Sequence, residues 1–414
     1  MVRMMDVAVI GAGSAGIAAA RFLAAAGLAV RLLEARGRVG GRACTDVATL
    51  GVPADLGAAW LHFADESPWT QLARDQGLHV IECNPDWGAR SHIGGRRPTA
   101  AEVADAEAAY ARSWTCVGRA AEAGLDVPVS DLLPSDPFRP RFDAVMTWIM
   151  GVESRETSSL DLARYADSAR DWAVAEGIGT VVAGAAIGLD VTLDAAVTAI
   201  DHDGNGVRIT TSRGTLDARA AIVTVPTSLL ARGDIRFTPD LPTTHQRALA
   251  DVPLGSNNKV FFRFDEADLP LDGPGHCLVR ADTSRTVHFG IRPAGQPLAM
   301  AYFGGNLSRE LEAQGALESF AREALGQTFG TALPNRIRRT LSTSWDGDRW
   351  AGGSYTAARP GAARQREVLA SPISPRLLLA GEACHPHHYG TIYGAWQSGV
   401  AAARHVIDTL RSPP

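Results

Sequence analysis

Apolar and polar positions alternate along the chain in ways that predict its elements one after another. "DVAVIGAGSAGIAAARFLAAAGLAVRLLE" opens with an apolar run, passes through a glycine turn and an alanine-rich stretch, and closes on a second run ending at Glu34. Two such runs around a helix-length segment predict a strand–helix–strand unit. From Asp65 to about Asp190 helical spacing dominates. "AAEVADAEAAYARSWTCVGRAAEAG" predicts a helix and "LLPSDP" a loop. Between Val191 and Val225, β-branched runs flank "DHDGNG", a hairpin signal, and end in "AAIVTVP". Beyond Asp234, "KVFFRF", "TVHFGI" and "LAMAYFGG" alternate as strands of another sheet, and "SRELEAQGALESFAREALGQ" predicts a helix with Ser308 as its N-cap. After "GGSY" the strand "RLLLAGEA" runs into a long helix from near Thr391, so the chain is expected to leave its first domain and return to it twice.

Length and composition narrow the class. A chain of 414 residues is too long for one ordinary core, and 46% hydrophobic residues with a net charge of -5 spread along the chain describe a globular protein. No basic footprint points to nucleic acid or an anionic membrane. Cys44, Cys83, Cys116, Cys277 and Cys384 are odd in number and contain no C-x-x-C pair, which fits a reducing compartment. Glycines break the first apolar run and few residues precede it, so the expectation is a cytoplasmic protein without a membrane span. Nothing in the sequence specifies an oligomeric state.

Gly11, Gly13 and Gly16 form G-x-G-x-x-G between the first strand and its helix. The pattern serves a tight turn, close approach of backbone to a pyrophosphate, and close helix–strand packing. Glu34, at the end of the second strand, can accept hydrogen bonds from a ribose hydroxyl pair, which disfavours a 2′-phosphate. The basic run that follows holds Arg36, Arg38 and the triplet Gly40-Gly41-Arg42, a backbone able to lie against a cofactor beside a guanidinium for its phosphates. A nicotinamide enzyme has no evident need of this second element.

With these residues in place the chain resembles the flavin-dependent amine oxidase family. The resemblance rests on six motifs in order: "GAGSAG…LLEARGRVGGRACT", "DLGAAWLH", "VTVPTSLL…IRFTPDLP", "NNKVFFRF", "WDGDRWAGGSYT" and "GEACHPHHYGTIYGAWQSG". It implies an α/β fold, α+β overall. A Rossmann-like FAD-binding domain would span 1–80, 186–240 and 353–414. A discontinuous substrate-binding domain of mixed sheet plus helices would span 81–185 and 241–352. The cofactor-binding positions it implies, besides those above, are Ser14, Ala15, Ala35, Gly57, Ala58, Ala59, Trp60, Val197, Pro226, Trp345, Trp350, Gly381, Glu382, Thr391 and Ile392. The helix N-terminus at Thr391 and Ile392 would favour an anionic reduced flavin.

Lys259 is the only lysine in the chain. In the family a lysine on this strand holds a water against flavin N5, and an ammonium, a compact point charge with rotatable donors, does this in a way a planar guanidinium does not. Tyr355 falls where one wall of the family's aromatic cage stands, while Thr391 replaces the tyrosine that monoamine oxidases have as the other. That departure, with "GAAWLHFADESP", leans toward polyamines or secondary amines. His62 and Glu153 are candidate substrate contacts, the latter as an ammonium partner. Ser354 stands where monoamine oxidases attach the flavin, so the FAD is expected to be non-covalent. "CHPHH", residues 384 to 388, offers ligand types without partners elsewhere, so no metal is expected.

The implied reaction is oxidation of a C–N bond. Hydride passes from the α-carbon of a small-molecule amine to flavin N5, the imine hydrolyses, and O2 reoxidises the flavin to give hydrogen peroxide. An L-amino-acid oxidase on the same fold, a flavin dehydrogenase with another acceptor, and a flavin-binding protein without turnover are the alternatives.

Overall fold

The strand Met5–Ile10 lies in the middle of the first sheet because Val7, Ala8 and Val9 are fully buried on both faces, as parallel strands covered on two sides require. It pairs in parallel with Val30–Leu33 on one side and with the long strand Gly214–Val223 on the other. Beyond these run Val191–Thr192 at one edge and, toward the other, an antiparallel meander through Val207–Thr211 and Val197–Asp201 that ends on the parallel edge strand Arg236–Thr238, while Leu377–Leu379 returns late in the chain to pair with the end of Gly214–Val223. This computed structural model describes residues 5–85, 91–93, 95–269 and 275–411. Among them the first sheet has eight strands and the second has six.

The helix Ser14–Ala25 packs along the C-terminal helix Ile392–Arg411 on one face of the first sheet. Gly16 is what allows the first of these to start so close to the sheet: a Cβ there would lie 1.8 Å from the Gly11 carbonyl oxygen. No helix among the described residues is long and apolar enough to cross a membrane.

The second sheet runs Arg339–Ser342, Asn257–Arg263, Leu298–Gly304, His288–Ile291, Gly275–Arg280, His92–Ile93. Alternation along its strands separates two faces. Val260, Phe262, Phe289, Ala301 and Phe303 are buried against Leu307, Leu311, Leu317 and Leu325 of two covering helices. The opposite face carries two rows fixed by register, Lys259–Tyr302–His288–Leu278 and Phe261–Met300–Gly290–His276. A helical layer faces these rows. It includes Ala100–Glu122, whose N-terminus has a Thr99/Glu102 capping box, and Arg139–Met150, which ends at a left-handed Gly151.

Three expectations from the sequence are revised. Ser308 is not an N-cap: the helix begins at Gly305 and ends at Ala313, and a second helix, Leu317–Phe329, follows a left-handed Gly315. The Ser308 hydroxyl instead turns inward to Ser256 at 3.0 Å and Asn258 at 3.1 Å. The expected domain boundary at residue 185 also falls too late. Val174, Ile178, Val181, Val182 and Ala185 join the core beneath the first sheet, with Ile178–Gly184 as a helix laid against it. Ala248, Leu249 and Val252 likewise pack on the first sheet, past the expected break at 240.

Candidate active site

Between the two sheets and the helical layer lies a cavity of about 1940 Å³. Pockets for a single small ligand hold roughly 300–1,000 Å³, so this one has room for a dinucleotide and a substrate together. One end is lined by the glycine turn, Gly11, Gly13, Ser14 and Ala15, and by Glu34, Ala35 and Arg36. Gly40, Gly41 and Arg42 continue that wall, followed by the run Gly57, Ala58, Ala59 and Trp60. Val197, Pro226, Trp345, Trp350, Gly381, Glu382, Thr391 and Ile392 complete it, and Lys259, Tyr355 and His62 reach the same space. Of the site residues expected from sequence, Gly16 and Glu153 do not line the cavity. Gly16 sits behind the turn, in its packing role.

Glu153 lies elsewhere because its carboxylate accepts from the Asn306 amide, 3.0 Å away at the start of a helix. It thus serves as a helix-end acceptor outside the cavity lining, and burial raises its pKa.

Glu34 accepts from the amides of Ala12 and Arg36, each at 2.8 Å, which fixes its carboxylate at the mouth of the glycine turn. The Arg36 guanidinium is held in a bidentate pair with Asp348 at 2.9 and 2.6 Å. Burial alone would raise the Asp348 pKa, but this pair outweighs it and the carboxyl ends below its ordinary value. Arg36 therefore closes the wall through Asp348. Arg42 reaches the Ser354 carbonyl and, at 3.1 Å, Glu382. The Glu382 carboxylate also accepts from the Thr356 hydroxyl at 2.7 Å and the Gly390 amide at 3.1 Å. Against its burial, Arg42 and these donors keep its pKa low, so the cavity has a fixed, ionised carboxylate there.

Lys259 is buried, and its Nζ donates to the carbonyls of Asp55 at 2.8 Å and Gly57 at 2.6 Å. Gly57 is required by crowding: a Cβ would stand 1.8 Å from the Arg42 carbonyl oxygen. Burial takes the Lys259 ammonium down to about 8, with the Asp55 charge opposing the shift. Asp55 is itself pushed up by burial while Thr45 and the amides of Ile178 and Gly179 hold its carboxylate.

The Tyr355 hydroxyl donates to the Trp148 carbonyl and lies 2.9 Å from that of Tyr302. Burial raises its pKa well above the ordinary phenol value. Thr391 caps the last helix, its hydroxyl accepting from the Gly394 amide at 2.9 Å and donating to the His388 carbonyl at 2.7 Å. His62 pairs with Asp171 at 2.6 Å, and the Ser354 hydroxyl bonds Asn257 at 2.8 Å. In the "CHPHH" segment the rings of His385 and His388 stack at 4.5 Å, and burial brings His385 down to about 4. Among the described residues no group of three or more His, Cys, Asp or Glu is placed to hold a metal ion.

A family model described as flavin containing amine oxidoreductase matches residues 14–127 and 136–407. The chain belongs to that family. This amine oxidoreductase is 30% identical to polyamine oxidase 4 of Oryza sativa subsp. japonica over 96% of its own length and 88% of the relative's. It is 29% identical to polyamine oxidase 2 of Arabidopsis thaliana over 97% and 88%. It is 28% identical to Arabidopsis lysine-specific histone demethylase 1 homolog 3, over 98% of this chain but 30% of that protein. A solved triple mutant of putrescine oxidase with redesigned cofactor binding shares the fold at a TM-score of 0.81 and 21% identity, covering 98% of this chain and 99% of the other.

The protein is thus an FAD-dependent oxidoreductase acting on amines, and the residues present fit that cofactor. The glycine turn opens into the cavity, Glu34 stands at its mouth, Glu382 lines it, and the Gly57 carbonyl holds Lys259. The sequence reading missed the far wall, where Trp148, His276, His288, Met300 and Tyr302 line the same space. Its signal lay in the alternation of "LAMAYFGG", which puts Met300 and Tyr302 on one face.

Proposed function

We propose that this enzyme, working in the cytoplasm, oxidises the C–N bond of a polyamine or another secondary amine, with non-covalent FAD and with O2 as the final acceptor. The bond gives up two electrons and two protons to become an imine, water converts the imine into a carbonyl compound and an amine, and O2 carries the electrons and protons away as hydrogen peroxide. FAD, when bound, supplies the two-electron acceptor chemistry.

The chain's own residues position and insulate. Lys259 gives two N–H groups to carbonyls and keeps a third for a water in the cavity. Its charge, present at neutral pH, favours negative charge developing nearby. Tyr355, anchored by its hydroxyl, offers a ring face to the amine. Ser354, a hydroxyl where a covalent link would need a thiol, supports a non-covalent cofactor.

The observation that carries the reading is that Lys259, Tyr355 and the glycine turn line one cavity, and the polyamine oxidases among the relatives support the substrate class. The test is an anaerobic screen of spermidine, benzylamine and L-phenylalanine. Spermidine is expected to bleach the yellow protein, and admitted oxygen to restore it with release of peroxide. Bleaching by L-phenylalanine alone would refute the substrate class; restoration only by an artificial acceptor would refute the oxidase. Colour retained in an acid-precipitated pellet would refute non-covalent binding.

A further inference from the structure

On the wall facing the helical layer, four aromatic rings form one column. Trp60 meets His276 at 5.6 Å between centroids, His276 stacks on His288 at 5.0 Å with planes 10° apart, and His288 meets Trp148 at 5.5 Å. All four line the cavity, although they come from the Gly57 segment, two strands of the second sheet, and the Arg139–Met150 helix. The column has a fixed place relative to Lys259. Lys259 lies opposite Tyr302, and Tyr302 lies opposite His288, all on one face. Two strand spacings separate the lysine from the histidine, about 10 Å.

We propose that this column docks the second, non-reacting ammonium group of a diamine or polyamine and so selects substrates by the separation of their nitrogens. The inference rests on amines being the substrates, as proposed above. An ammonium is drawn to indole faces, and a desolvated site strengthens that attraction. Burial, with His276 adding to it, brings His288 down to about 3, so that ring brings no positive charge to oppose a cation. Of the carboxylates that line the cavity beside the helical layer, Glu107 pairs with Arg141, Asp171 with His62, and Asp167 accepts from the Ala169 amide.

The experiment is steady-state kinetics of the FAD-loaded enzyme on α,ω-diamines from diaminopropane to diaminooctane, each against the n-alkylamine of the same carbon number. The wild type is expected to prefer diamines at one chain length, through a lower KM with kcat little altered. In His288→Leu that diamine-to-monoamine ratio of kcat/KM should fall at least fivefold, with FAD content retained. A flat wild-type series would overturn the proposal, and so would a variant that loses diamine and monoamine turnover in equal proportion, the mark of a merely structural column. If His288→Leu does not fold, Trp148→Leu, at the other side of the same ring, is read in the same way. If no amine bleaches the flavin, the amine reading falls first; bleaching by amines with no length preference removes the column alone.

Discussion

The wall that carries Gly11, Gly13 and Glu34 and the wall that carries Lys259, Tyr302 and His288 enclose the same cavity, yet they are made of different material. The first presents backbone: a glycine turn, the Gly40-Gly41 pair, and amides and carbonyls pinned by Glu34 and Arg42. The second presents side chains set by register across strands far apart in sequence. A cofactor common to many enzymes is gripped by backbone, which tolerates little change. The substrate meets side chains, which vary without disturbing the sheet beneath them.

That contrast is broken most directly by adding a side chain behind the turn of the first wall and a methyl group on the second. Valine at Gly16 would drive a Cβ to within 1.8 Å of the Gly11 carbonyl oxygen, a backbone atom that cannot yield without moving the turn. Gly16→Val is therefore expected to purify without FAD or not to fold. Alanine at Gly290 would meet only the flexible end of Met300, at 3.0 Å. Gly290→Ala should keep its FAD and alter only KM. Equal FAD content in the two variants, by absorbance, would erase the distinction.

The next largest effect comes from Lys259, the one charged side chain of the second wall's first row. Its folded-state value of about 8 lies below the ordinary 10.5. Below pH 8 both folded and unfolded chains are protonated and the folded state bears the full penalty of a buried ammonium. Between pH 8 and 10.5 the folded side chain is neutral while the unfolded one still binds a proton, so stability rises with pH, by roughly 3 kcal/mol in all. Relative to Lys259→Met, the wild type should gain stability across that window, read from urea midpoints at saturating FAD. Parallel curves for the two proteins would show that the ammonium is not desolvated.

The same substitution has a smaller kinetic effect. Lys259→Met should stay yellow but lose at least tenfold in flavin reduction or reoxidation, about 1.4 kcal/mol of barrier. Stopped-flow traces that superimpose on wild type would take the lysine out of the chemistry.

The two walls also differ in how far the sequence discloses them. The glycine turn, Glu34 and Gly40-Gly41-Arg42 sit within one strand–helix–strand unit, so spacing alone identifies them. The strands of the second sheet are legible too, because "KVFFRF", "TVHFGI" and "LAMAYFGG" alternate. What alternation does not contain is register. That His288 stands two strands from Lys259 depends on pairings set by turns and by the helices behind the sheet. Trp148 shows the same limit for helices, since its ring joins the column only through the way its helix lies across the sheet. The Ile178–Gly184 helix has apolar positions that reveal amphipathicity but not the core that receives them. The residue type of Ser308 suggests a cap, whereas burial beside Ser256 and Asn258 gives the hydroxyl other partners.

Glu153 tests where the second wall ends, with the smallest effect of all. As an ammonium partner it would make a charge-assisted bond whose loss raises the amine KM tenfold or more. The structure instead sets its carboxylate against the Asn306 amide at the start of the Gly305–Ala313 helix, beside the left-handed Gly305, and the group does not line the cavity. Glutamine keeps an oxygen that can accept from the same amide and removes both the attraction between a negative charge and a helix N-terminus, about 0.3–1 kcal/mol, and the opposing cost of burying that charge. Burial raises the Glu153 pKa, so the folded chain binds that proton more tightly than the unfolded one, and the wild type should gain stability relative to Glu153→Gln as the pH falls through that window. Glu153→Gln is therefore expected to change stability by less than about 1 kcal/mol at neutral pH while spermidine kinetics stay within about twofold. A large rise in KM at intact stability would instead extend the substrate wall past the helical layer to this helix end.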